Sequence, residues 1–229
     1  MSAGDHATLL AGATGLVGRA VGAQWAGPAA LHRLVRRAPA SPAAPHQQDH
    51  VVDFSALPPL PAAHDACCCL GTTIKVAGSK GAFRAVDFDA VLAFGRAARA
   101  AGVARFAVVS ALGADPGSRS FYNRIKGEME AALIGLGFES LVIARPSLLT
   151  GDRDGLGQAD RPAERFAVSL TAPLAGLIPL AWRPIAADTL ARALLQALDT
   201  AAPGVTVLES AALQELGKRQ APREDAAAS

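Results

Sequence analysis

Tyrosine is nearly absent from this chain of 229 residues: there is one, with two tryptophans, two methionines and three cysteines, and aromatic residues make up only 5%. The cysteines are consecutive, Cys67, Cys68 and Cys69, so neighbours on an expected strand face opposite sides. No other cysteine exists to complete a disulfide or a zinc site, and they read as small buried hydrophobes in a reducing compartment. The histidines (His6, His32, His46, His50 and His64) lack metal-ligand spacing, so no metal site is expected. Charge of one sign is also missing. The formal net charge is +2 and the basic residues are scattered, with no Lys/Arg stripe interleaved with aromatics, which argues against nucleic acid as a partner. No basic region precedes the first apolar segment, and Gly12 and Gly15 interrupt it, so no secretory signal is expected and the cytoplasm is the default compartment.

A long unbroken hydrophobic run is lacking as well. The uncharged stretch 166–182 approaches the length of a membrane span, but Pro173, Gly176 and Pro179 break it. It is expected to close over a substrate cleft, with peripheral membrane contact or burial in a homodimer as alternatives, and no integral span is expected.

Half of the residues are apolar, enough for a core in one domain over 1–215. Short apolar runs alternate with helical patterns, which predicts an α/β fold with a doubly wound parallel sheet covered by helices on both faces. Strands are expected near 7–11, 31–36, 50–54, 65–70, 105–110, 140–145 and 204–208, and helices near 15–26, 86–101, 120–136 and 188–199. The Pro-rich stretch 38–45 is expected as a loop, 151–185 as a small cap and 216–229 as a disordered tail.

The glycine run Gly12-Ala13-Thr14-Gly15-Leu16-Val17-Gly18 joins the first strand to the first helix. Residues without Cβ let the backbone bend and approach a pyrophosphate, and the helix start aims free N–H groups and its positive dipole end at it. Gly12, Thr14, Gly15, Leu16, Val17 and Gly18 are therefore candidate dinucleotide-binding residues.

Tyr122 and Lys126 stand four apart on an expected helix and so share a face. A free phenol has a pKa of about 10, and an adjacent ammonium stabilises the phenolate, which suits proton transfer. Lys126 can also hold ribose hydroxyls. Ser110 ends the strand expected near 105–110, at the sheet edge where ligands sit in open α/β folds, and its hydroxyl is placed to orient a substrate carbonyl.

The glycine turn, the strand-end Ser110 and the Tyr122/Lys126 pair, in this order, resemble the short-chain dehydrogenase/reductase superfamily. Further runs resemble its atypical, Tat-interacting-protein-like oxidoreductases: Cys69-Leu70-Gly71-Thr72-Thr73, Ala77-Gly78-Ser79, Val86-Asp87, Gly102 to Phe106, Tyr122 to Glu130, and Arg145-Pro146. The resemblance covers about 5–200. It implies a Rossmann-type sheet, NADPH binding, a Ser-Tyr-Lys catalytic set, and cofactor contacts from Leu70, Gly71, Thr72, Thr73, Arg145 and Pro146. Leu70-Gly71-Thr72-Thr73 replaces the Asn-Asn-Ala-Gly motif of ordinary members, and Asp87 lies near where a fourth catalytic asparagine would be sought.

NAD-selective folds place an acidic residue at the end of the second strand, whereas this chain has Arg36 and Arg37 there. Guanidinium forks suit a phosphate, which favours the 2′-phosphate of NADPH over NADH. Asp53, after the third strand, is placed to contact an adenine amino group. These features point to an NADPH-dependent reductase of a small carbonyl compound. The competing class is a non-catalytic NADPH-binding sensor or scaffold, and the short stretch after Gly151 disfavours a nucleotide-sugar epimerase.

Overall fold

The computed structural model describes residues 6–39, 43–151, 179–200 and 202–218. Seven parallel strands form the central sheet: β1 (Thr8–Ala11), β2 (Leu31–Val35), β3 (Gln47–Val51), β4 (Asp65–Cys68), β5 (Arg105–Val109), β6 (Ser140–Arg145) and β9 (Gly204–Glu209), in the spatial order β3-β2-β1-β4-β5-β6-β9. A second, two-stranded parallel pair joins β7 (Leu149–Thr150) to β8 (Ile185–Ala186). The order reverses between β1 and β4, and the crevice at such a reversal is where open α/β sheets bind ligands.

Strand alternation divides the core. Leu10, Cys67, Ala107 and Val142 face α1 (Leu16–Gln24) and the helix Ala187–Thr200. Leu9, Ala11, Cys68, Phe106 and Ile143 face the other way, against α4 (Val91–Ala100) and α5 (Phe121–Ile134). Both faces are therefore covered by helices, as the repeating strand and helix pattern predicts.

Several boundaries differ from expectation for identifiable reasons. β3 comprises Gln47–Val51 rather than 50–54, because its register is set by pairing with Leu31–Val35, and it is an edge strand whose polar side chains find partners. Arg33 grips Asp49 through two bonds of 2.7 Å, and Gln47 donates to the Gly22 carbonyl at 2.7 Å. The helix expected from 86 begins earlier, as α3 (Lys80–Arg84), where the Ser79 hydroxyl caps the Ala82 N–H and Phe83 is fully buried. A π-helical turn, Ala85–Ala90, then leads into α4. β4 stops at Cys68, and the following loop leads to α2 (Ile74–Ala77), capped by Thr73. The chain beyond 210 forms a helix, Ser210–Leu216, anchored by fully buried Leu213. Arg192 donates to the Gly217 carbonyl at 2.6 Å, so the order of the chain continues past the expected start of the tail at 216. The remainder of that tail and most of the expected cap, including 166–178, lie outside the described residues.

Candidate active site

The turn between β1 and α1 is shaped by close backbone packing. Gly12 has φ +80°, and a Cβ there would lie 2.5 Å from the Cys69 carbonyl oxygen. A Cβ on Gly18 would lie 2.1 Å from the Gly12 carbonyl oxygen, so α1 starts directly against the turn. Gly15 is the N-cap of α1, with no side-chain cap and no acidic residue in the first turn. The free N–H groups at that end remain available to an external acceptor, and Gly15, Leu16 and Val17 line a cleft of about 650 Å³.

Ser110, Tyr122 and Lys126 line the same cleft, together with Leu70, Gly71, Thr72, Thr73 and Pro146. Leu148, Leu149 and Trp182 give it an apolar side, and Trp182 is exposed. Ser110 follows β5 at the carboxyl edge of the sheet, while Tyr122 and Lys126 come from successive turns of α5. Among the described residues, Thr14 is exposed in the turn, and Arg36 and Arg37 are exposed beyond the end of β2. Asp53 is exposed and turns back on its own loop, accepting from Ser55 N–H and Oγ at 2.8 Å each. These bonds hold its carboxyl below the usual carboxylate range, led by the backbone N–H. The structure thus groups Gly15, Leu16 and Val17 of the glycine turn, the 70–73 loop and the Ser-Tyr-Lys residues, and leaves Gly12, Thr14, Gly18, Asp53, Arg36 and Arg37 out of the cleft lining.

Two carboxylates change the electrostatics of this group. Asp87, fully buried on the π turn, lies with Oδ1 2.8 Å from Lys126 Nζ, and its Oδ2 accepts the Thr72 N–H at 2.9 Å. Burial opposes the Lys126 ammonium, yet Asp87 and, to a smaller degree, Tyr122 outweigh it and hold Lys126 above its ordinary value. The second is Glu130, whose Oε1 accepts the Ser110 hydroxyl at 2.5 Å. Arg145 donates to Glu130 through Nε at 3.0 Å and Nη2 at 2.6 Å, and to Glu209 at 3.1 Å. The Arg145 guanidinium is thereby engaged by carboxylates behind Ser110 and does not line the cleft.

Asp87 was visible in the sequence only as a residue near an expected asparagine. Glu130 carried one local signal: it stands four residues after Lys126 and so continues the inward face of α5. The thiols of Cys67 on β4 and Cys69 just beyond its end approach to 3.7 Å, with Cys69 at the cleft. Burial pushes the Cys68 thiol up to about 12, and the Cys67 contact together with burial raises Cys69 well up, so both stay neutral. Among the described residues, no group of three or more His, Cys, Asp or Glu is placed to hold a metal ion, and no helix is long and apolar enough to cross a membrane.

No family model matches the chain. Rat Protein HTATIP2 is 38% identical over 176 residues, spanning 73% of this chain and 69% of its own length. Protein FMP52, mitochondrial, of Coccidioides immitis is 34% identical over 165 residues, 64% of this chain and 67% of that protein. Protein fmp52, mitochondrial, of Aspergillus fumigatus is 33% identical over 205 residues, 82% and 85% of the two chains. Among solved structures, MoeE5 in complex with UDP-glucuronic acid and NAD superposes with a TM-score of 0.67 at 17% identity, covering 90% of this chain and 76% of that one. A short-chain dehydrogenase/reductase superfamily protein from Agrobacterium tumefaciens with bound NAD gives 0.60 at 16% identity, covering 89% and 77%. These structures show a shared Rossmann-type fold. The mitochondrial names of the fungal relatives overturn the expectation of a cytoplasmic protein. A missing secretory pattern does not choose among compartments.

Proposed function

The chain belongs to the HTATIP2/FMP52 family, within the short-chain dehydrogenase/reductase superfamily, and from that premise we propose that it is an NADPH-dependent oxidoreductase that reduces a small carbonyl compound. The observation that carries this reading is the sharing of one cleft by the glycine turn, Ser110, Tyr122 and Lys126. The N–H groups at the start of α1 would hold the pyrophosphate, and the tight glycine packing there leaves backbone rather than side chain at the contact. The 70–73 loop and Pro146 would flank the cofactor's reactive end, and Lys126 would bond ribose hydroxyls. Arg36 and Arg37 would take the 2′-phosphate, which favours NADPH over NADH.

Bound there, the cofactor supplies a hydride to the carbonyl carbon. Tyr122 donates its phenolic proton to the carbonyl oxygen as the alcohol forms. Ser110 has a single O–H, which it gives to Glu130 in the structure, so polarising a carbonyl requires that hydroxyl to rotate from Glu130 to the substrate oxygen. Trp182, Leu148 and Leu149 favour a substrate with an apolar body.

The sensor reading draws support from one feature: the proton-handling groups Ser110 and Lys126 are each engaged by a carboxylate. Turnover separates the two. Tyr122→Phe should abolish oxidation of NADPH by a panel of aldehydes, ketones and quinones while NADPH still binds. Arg36→Ala with Arg37→Ala should erase a preference for NADPH over NADH. A wild-type protein that binds NADPH and turns over no carbonyl refutes the reductase and leaves the sensor.

A further inference from the structure

The lysine of a Tyr-x-x-x-Lys pair assists proton transfer by placing an uncompensated positive charge beside the phenol. Here the ammonium is compensated at contact distance, with Asp87 Oδ1 2.8 Å from Lys126 Nζ. The carboxylate is held from its other side by the Thr72 N–H at 2.9 Å, while Oδ1 faces Lys126 as an ion pair without an aligned hydrogen bond. Burial pushes the Asp87 carboxyl up, and the Lys126 charge and the Thr72 N–H oppose that push. The π-helical turn Ala85–Ala90 delivers it: the turn carries Asp87 fully buried to the floor of the cleft, and π turns inside helices frequently mark functional positions. Gly71 packs against the pair: a Cβ there would stand in ordinary contact, 3.4 Å from Asp87 Oδ1 and 3.7 Å from Lys126 Nζ.

We propose that Asp87 is a positioning residue that acts through Lys126, cancelling most of the ammonium's field at Tyr122. The consequence for proton transfer rests on the reading of Tyr122 as proton donor, while the electrostatic claim stands on the Asp87–Lys126 contact alone. Seen from the phenol, the pair is a dipole, and a dipole's field falls off faster than that of a lone charge. Among the other titratable groups packed around α5, Cys68 on β4 is a neutral thiol, Glu130 is paired with Arg145 and Arg84 with Glu128 at 2.6 Å. Lys80, over the Phe121 ring, keeps its charge in wild type and Asp87 variants alike and so drops out of the comparison.

Tyr122 is the sole tyrosine of the chain, so its ionisation is read directly from the ultraviolet absorbance of phenolate in the full-length protein, without cofactor or turnover. Asp87→Asn frees the ammonium's field and should lower the midpoint by about one pH unit or more. Adding Lys126→Met to Asp87→Asn should return it to near the wild-type value, because both charges are then gone. A folded Asp87→Asn protein whose midpoint does not move from that of the wild type overturns the proposal. Far-ultraviolet circular dichroism establishes that each variant is folded, and Asp87→Ser is read in the same way should Asp87→Asn not fold. A protein that shows the expected shifts but reduces no carbonyl would refute the reductase reading and leave the role of Asp87 intact.

Discussion

Replacing Glu130 by alanine removes the acceptor on which three donors converge. The Ser110 hydroxyl lies 2.5 Å from Glu130 Oε1, and the Arg145 fork reaches both oxygens, at 3.0 and 2.6 Å. Ser110 is 4% exposed, so its orphaned hydroxyl loses water as well as its partner, a cost of about 1–3 kcal/mol. Breaking a fully buried ion pair costs about 3–5 kcal/mol, but the Arg145 side chain is 24% exposed and keeps Glu209 at 3.1 Å. That share falls to about 1 kcal/mol. The Glu130→Ala protein should therefore lose about 2–4 kcal/mol, whereas Glu130→Gln, which keeps the shape and one acceptor oxygen, should lose about half as much. In urea, with a slope of about 2 kcal/mol per molar, the alanine variant's midpoint should fall by about 1–2 M with the slope unchanged. A midpoint shift worth less than about 0.5 kcal/mol, or a glutamine variant as damaged as the alanine one, would refute the assignment of Glu130 as the organiser of this cluster.

Two glycines of one helix should respond oppositely to alanine: at Gly18 the new Cβ would meet the Gly12 carbonyl oxygen at 2.1 Å and should abolish stable folding or nucleotide binding. At Gly22 it meets Gln47 Oε1 at an ordinary 3.6 Å, and calorimetry should show a gain of about 0.5–1 kcal/mol. Burial pushes the Cys68 thiol from 9.0 up to about 12, so the folded state holds a proton that the unfolded chain releases earlier. That contribution is complete below pH 9.0 and is lost as pH rises towards about 12, with an expected slope of about 1.4 kcal/mol per pH unit that Cys68→Ala should flatten in alkaline unfolding curves. Burial, and then His50 at 3.0 Å, depress the pKa of His32, so its contribution is present above 6.5 and is lost as pH falls below it. His50→Gln should soften this acid sensitivity, and an unchanged acid unfolding profile would count against the pairing.

What local pattern encodes was legible along the chain. The glycine turn at 12–18, the alternation of strands and helices, and the placing of Tyr122 and Lys126 on one helical face all follow from periodicities that span one or two turns. That was enough for a doubly wound parallel sheet and for a shared location of Ser110, Tyr122 and Lys126 at its carboxyl edge. The edge strand β3 was expected three residues late because its residues Gln47–Val51 are mostly polar, and pairing with β2 rather than apolar pattern selects them. Tertiary structure alone decided what the catalytic candidates touch. Asp87 reaches Lys126 because a π turn on one segment packs against a helix from another, and Ser110 meets Glu130 twenty residues further along only once β5 and α5 are docked. Such contacts carry no signature in residue spacing. They depend on which elements the sheet order makes neighbours, and they set the electrostatic surroundings of candidate residues that the sequence by itself could only name.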